Sequence, residues 1–148
     1  MSEALRRVRG DREQGSLALE AAILVPALVL FLLIVIAAGR VETAKGTVDA
    51  AARDAARSAS LARTPDAARQ AASDAAAKSL VEGGVSCQNL SQPVVDTNDF
   101  APQPGVTGSV TVTVSCTVLL SDLAVRGLPG SVTLSSVFTS VVDRYRSR

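Results

Sequence analysis

The chain is predicted to fold as α+β: one long N-terminal helix whose first half can span a membrane, a second short helix, and then a small antiparallel β-sheet of three or four strands. Three observations predict it. Residues 21–39 carry no charged side chain. Between residues 41 and 62 small apolar side chains recur at spacings of three and four, the period of a helix with one buried stripe. Between residues 110 and 120 the period becomes two, with Val110, Val112, Val114, Cys116, Val118 and Leu120 alternating with serine and threonine.

The uncharged run comes first. At about 1.5 Å per residue it reaches roughly 28 Å, close to the hydrocarbon thickness of a bilayer. Arg6, Arg7, Arg9 and Arg12 precede it, and Arg40, Lys45 and Arg53 follow. Lysine and arginine are therefore nearly balanced across the span and give little bias for its orientation. Glu20 stands at the edge of the run. An ionised carboxylate drawn to the bilayer centre costs roughly 3 kcal/mol, so it calls for a partner. Pro26 lies inside the run, removes the hydrogen bond to the Ala22 carbonyl and is expected to kink or loosen the helix.

Beyond the span, Val41, Ala44, Val48, Ala51, Ala52, Ala55, Ala59 and Ala62 draw one small apolar stripe. Lys45 with Asp49, Asp49 with Arg53 and Asp54 with Arg57 fall at helical neighbour spacing on the other side. The predicted helix covers residues 17–63, roughly 70 Å at 1.5 Å per residue. Alanines on one face permit close helix approach, and they also have high intrinsic helix propensity; the pattern is compatible with either role.

Thr64-Pro65-Asp66 reads as a new helix start: a capping hydroxyl, proline at the first position and an acid in the first turn. That helix runs to about residue 81, with Ala67, Ala68, Ala71, Ala72, Ala75, Ala76 and Leu80 apolar, and with Asp66 spaced to meet Arg69 and Asp74 to meet Lys78. Gly83-Gly84 ends it. A weaker strand is predicted over 85–90, and 92–108 reads as a long irregular loop rich in Pro, Asn and Asp. The last strand, over 132–142, slips phase near Ser135-Ser136, which suggests a bulge or burial on both faces. Leu128-Pro129-Gly130 makes the turn into it. Phe100, Phe138 and Tyr145 are the only aromatic residues outside the apolar run, so the core must be built from Val, Leu and Ala.

Composition excludes most chemistry. The chain has no histidine, and hence no histidine general base, triad or histidine-metal centre. Cys87 and Cys116 are too far apart for a redox Cys-x-x-Cys, and two thiols alone make a poor zinc site. Asp96 and Asp99 read as solvated loop acids rather than a cation site. A net charge of +1 with interspersed signs does not mark a nucleic-acid partner. No enzyme activity and no cofactor are expected.

Gly15-Ser16 followed by Glu20 resembles the class III leader of type IV prepilins, which a prepilin peptidase cuts after glycine on the cytoplasmic side. Glu20-Ala21-Ala22-Ile23-Leu24-Val25-Pro26 is similar to the TadE-like pseudopilins of tight-adherence pilus systems. Major pilins of those systems usually have an aromatic residue after the glutamate; Ala21 stands there and favours the minor class. The resemblance implies a cytoplasmic leader over 1–15, a transmembrane part of a pilin-like helix over 16–39, an extended amphipathic helix over 40–63 and an exported head over 64–148. It implies cleavage between Gly15 and Ser16, an assembly charge at Glu20, and as partners the prepilin peptidase, other pilins or pseudopilins, the inner-membrane assembly platform and membrane lipid. The protein would then be a single-pass protein of the bacterial cytoplasmic membrane with its C-terminal domain outside, associated with a pilus or related secretion filament. In that compartment Cys87 and Cys116 are expected to form a disulfide, two buried free thiols being the alternative. The same residues leave open an unprocessed membrane-anchored domain that binds another envelope protein, or a factor released by signal peptidase before Arg40.

Overall fold

The computed structural model describes residues 2–100, 107–123 and 129–142, and of residues 2–18 and 123 the backbone alone. Two units divide the chain, Met1–Ala38 and Gly39–Arg148.

Helix α1 runs over Ser2–Leu61 and passes through Pro26 without losing helical assignment. It begins well before the predicted start at residue 17. Residues 2–16 are largely good helix formers, Ala, Leu, Arg, Glu and Gln, and the two glycines among them cost only about 1 kcal/mol each. In the first unit the side chains of Leu19, Ile23, Leu28, Phe31, Ile34 and their neighbours are exposed. Apolar side chains lie on every face of this helix, the pattern of a buried or membrane-spanning helix rather than of an amphipathic surface one. By length and composition it can cross a membrane, its most apolar 18-residue window having a mean hydropathy of 3.1.

The second unit is a layer of two helices against one sheet. Helix α2 covers Pro65–Glu82. Thr64 caps it as read from sequence, its hydroxyl accepting from the Ala67 N–H at 3.2 Å, and Asp66 meets Arg69 at 2.6 Å. On α1 the buried stripe is Ala44, Val48, Ala51, Ala52, Ala55, Ala56 and Ala59; on α2 it narrows to Ala68, Ala72, Ala76 and Leu80. Ala67 is exposed instead. Side chains this small bring backbones close, which is the physical content of the alanine stripe.

Gly83 shows how close. The C-terminal end of α2 is closed by Gly83 and Gly84 N–H groups donating to the Ser79 and Val81 carbonyls, with Gly84 at φ +69°. A methyl group on Gly83 would overlap the Thr47 Cγ2 on α1. Gly83→Ala is therefore expected to destabilise the second unit by about 1–3 kcal/mol, as overpacking does. Thermal unfolding by circular dichroism measures it. Thr47→Ser, which removes the obstructing methyl, should restore most of the loss.

The sheet is built on β3, Ser109–Leu119. Strand β4, Ser131–Val141, pairs antiparallel along its full length, while β1 (Asn89–Leu90) and β2 (Val94–Asp96) follow one another along the opposite edge. A four-residue helix α3, Leu120–Leu123, leaves β3. The even-numbered side chains of β3, Val110 to Val118, are all buried against the helices, as the alternation predicts; Leu120, the last member of that alternation, instead opens α3 and is half-buried. Phe100 also enters this core, at 2% exposure.

Four expectations are corrected. The phase slip in β4 is neither a bulge nor burial on both faces: its register with β3 is unbroken from Ser131 to Val141. Ser136 and Ser140 take inner-face positions and Val137 and Val141 lie on the outer face at 60% and 64% exposure. A hydroxyl is accommodated inside because Ser140 donates to the Ser60 Oγ at 3.2 Å. Second, the predicted irregular loop contains β2, since Val94-Val95 after Pro93 suits an edge strand. Third, the strand expected over 85–90 pairs only at Asn89–Leu90, because the Val85 N–H is taken by the Leu80 carbonyl of the α2 cap. Fourth, the expected ion pairs on α1 do not form: Asp54 accepts from Ser79 at 3.1 Å and Arg53 lies 5.8 Å from the Phe138 ring centroid. On α2, Asp74 accepts from Gln70 and Lys78 pairs with Glu82. Pro102, Pro104, Leu128 and Tyr145 lie outside the described residues.

Candidate functional site

The site residues read from sequence fall in two places. Gly15, Ser16, Glu20 and Pro26 all lie within α1 in the first unit. Their order is set by helix geometry: Glu20 follows Ser16 by four residues, about 6 Å along the axis and on the same face. The Glu20 side chain is exposed on the helix surface, and from there to Arg40 no charged group intervenes. The carboxylate therefore has no partner within the apolar segment of its own chain.

Cys87 and Cys116 belong to the second unit. They form a disulfide with a Cα–Cα distance of 5.4 Å, across 29 residues of sequence. Cys116 is fully buried on the inner face of β3, opposite Leu134 of β4, and Cys87 is half-buried just before β1. The bond thus ties the segment leaving α2 to the centre of the sheet. Beside it lies an open, mainly apolar groove of about 380 Å³ lined by residues including Ala77, Leu80, Val81, Val85 and Leu90.

Among the described residues no group of three or more His, Cys, Asp or Glu could hold a metal ion. Asp96 accepts from the Asn98 N–H at 3.0 Å and the Asp99 carbonyl accepts from the Ser109 N–H at 3.2 Å.

Against known families the decisive observation concerns α1. Residues 15–57 match the family model described as TadE-like protein. The matched segment is similar to TadE-like proteins. It begins at Gly15, contains Glu20 and Pro26, takes in the whole uncharged run and continues along the buried alanine face to Arg57. This is the family that the Gly15-to-Pro26 pattern resembled. No curated protein and no solved structure matches the chain. The match to a TadE-like model and the apolar helix together fit a pilin-like, membrane-anchored protein. Sequence reasoning missed two packing features of the second unit, the Gly83–Thr47 approach and the Ser60–Ser140 hydroxyl contact. Each depends on a partner on another element, and no local pattern announces it.

Proposed function

We propose that the chain is a TadE-like minor pilin or pseudopilin that takes part in assembling a tight-adherence pilus or related secretion filament. The observation that carries this reading is the TadE-like match that starts at Gly15 and encloses Glu20 within an uncharged helix. In this reading residues 1–15 are a cytoplasmic leader and prepilin peptidase cuts between Gly15 and Ser16. The helix over 16–39 anchors the protein in the bacterial cytoplasmic membrane. Residues 40–63 continue it, and the head over 64–148 lies outside, where its disulfide is stable.

Cleavage has an electrostatic consequence. It creates an α-amino group at Ser16 that is positively charged at neutral pH, about one helical turn from Glu20. That amine, on the same or a neighbouring molecule, is the partner the carboxylate lacks, and Glu20 also gains from lying in the first turn of the shortened helix. An unpaired carboxylate in hydrocarbon disfavours misregistered packing, so the charge pair aligns subunits with one another and with the assembly platform.

Mass measurement of the mature amino terminus tests the reading. Ser16 is the expected first residue, and Gly15→Leu should abolish processing so that only the full-length species accumulates. Met1 or Ser2 at the mature terminus would instead support an unprocessed anchored domain, and Arg40 a secreted factor.

A further inference from the structure

We propose that the open edge of β4 pairs antiparallel with β4 of a second copy of this chain, centred on Ser136. β4 is bonded to β3 along its whole length and, among the described residues, pairs with no other strand. The bonds flanking this ladder show which backbone groups are left over. Val142 donates to the Gly108 carbonyl and Leu120 donates to the Gly130 carbonyl. Both pairs fall in the β3–β4 register, so the even-numbered residues of β4 exchange their bonds with β3. The odd-numbered ones, Ser131 through Val141, direct N–H and C=O groups away from β3.

Edges of this kind are usually guarded by lysine, proline, a bulge or a short strand. β4 has none of these: it is eleven residues long, Ser-Val-Thr-Leu-Ser-Ser-Val-Phe-Thr-Ser-Val, without charge or proline, and in unbroken register. A partner recognised through charge finds nothing to pair with on this strand, and the neighbouring cation, Arg53, is already over Phe138.

The occupant follows from the sequence of β4, which complements its own reverse. With Ser136 on the two-fold axis, Ser135 meets Val137, Thr133 meets Thr139 and Ser131 meets Val141 on the outer face. On the inner face Leu134 meets Phe138 and Val132 meets Ser140. Serine faces valine three times and threonine faces threonine, so the seam sets small side chains against branched ones. The register also places odd residues opposite odd residues, as their free backbone groups require. Val137 and Val141, at 60% and 64% exposure, are the apolar surface such a contact covers. One strand seam buries less than the roughly 1,200–2,000 Å² of a stable soluble complex, so it suits copies held at high effective concentration in one membrane. This contact requires neither cleavage after Gly15 nor filament assembly.

The test uses full-length protein in membranes. Two differently tagged copies carry Ser135→Cys and Val137→Cys, both exposed positions. Under mild oxidation they should give mixed disulfide dimers about tenfold above the level from Lys78→Cys, an exposed site on α2, where only collision brings copies together. Ser136→Cys should crosslink to itself, since the axial pair is non-hydrogen-bonded with Cα atoms about 4.5 Å apart. Adding Ser135→Lys and Val137→Lys to Ser136→Cys places like charges opposite one another and should abolish that dimer. Mixed dimers no more abundant than the Lys78→Cys background would overturn the proposal, as would a Ser136→Cys dimer indifferent to the two lysines.

Discussion

Replacing Cys87 by alanine together with Cys116 by valine is expected to lower the melting temperature of the second unit by about 15–25 °C, given a loss of about 3–4 kcal/mol. The disulfide closes a loop across 29 residues, and in the chain-entropy model that loop length sets the magnitude. The effect is large relative to what else holds the second unit together. Most side chains buried in the core are alanine and valine, with Phe100, Leu80 and Leu134 as the larger contributors. At about 25 cal/mol per Å² an alanine contributes little, and a small domain has only roughly 5–15 kcal/mol in total. Serine would be the wrong replacement at Cys116, because the position is fully buried and a hydroxyl there lacks a partner. Valine keeps the site apolar and continues the alternation of β3, so the measured loss reports the crosslink. Circular dichroism melts of the variant beside the oxidised protein decide the matter; a shift below about 3 °C would mean the bond contributes almost nothing.

What could be read from sequence was whatever repeats locally. The strand from Ser109 to Leu119 is announced by five inward apolar side chains separated by hydroxyls, and no other element competes for that pattern. The stripe on α1 is legible for the same reason, and so is the Thr64 cap, whose donor lies three residues away. Features that depend on a distant partner were not legible. In β4 the valines at 137 and 141 look like core by composition, yet pairing to β3 fixes the phase of the entire strand and turns them outward. The charges on α1 look like intrahelical pairs, yet Arg53 and Asp54 have better geometry toward Phe138 and Ser79. Intrahelical pairs contribute only about 0.2–0.5 kcal/mol each, so a modest tertiary contact displaces them.

The proposed site stands out in the sequence for the opposite reason, that its residues are exceptions to their surroundings. One carboxylate at the edge of nineteen uncharged positions stands out without any structural information. Gly83, by contrast, read only as a helix terminator; its second role, admitting the Thr47 side chain, appears only when α1 and α2 are brought together.

The second large effect is expected at Glu20. Under the proposed function, Glu20→Ala should leave cleavage after Gly15 intact and reduce incorporation into filaments by about a hundredfold, the equivalent of roughly 3 kcal/mol of lost alignment energy. Cleavage survives because the peptidase reads the glycine and the basic leader, which the substitution does not touch. Assembly fails because the Ser16 amine loses the carboxylate that distinguishes one register of packed helices from its neighbours. The apolar run from Ala21 to Gly39 is otherwise uncharged and permits sliding. Glu20→Gln should behave like alanine, since it keeps a polar group but not the charge, whereas Glu20→Asp keeps the charge and should recover part of the assembly. Two measurements separate the steps: the mass of the mature terminus for processing, and the amount of protein recovered in sheared filaments for assembly. Normal filaments from Glu20→Ala would remove the charge pair from the mechanism and leave cleavage standing, so the carboxylate would then need another role, with the dipole of the shortened helix as the remaining partner.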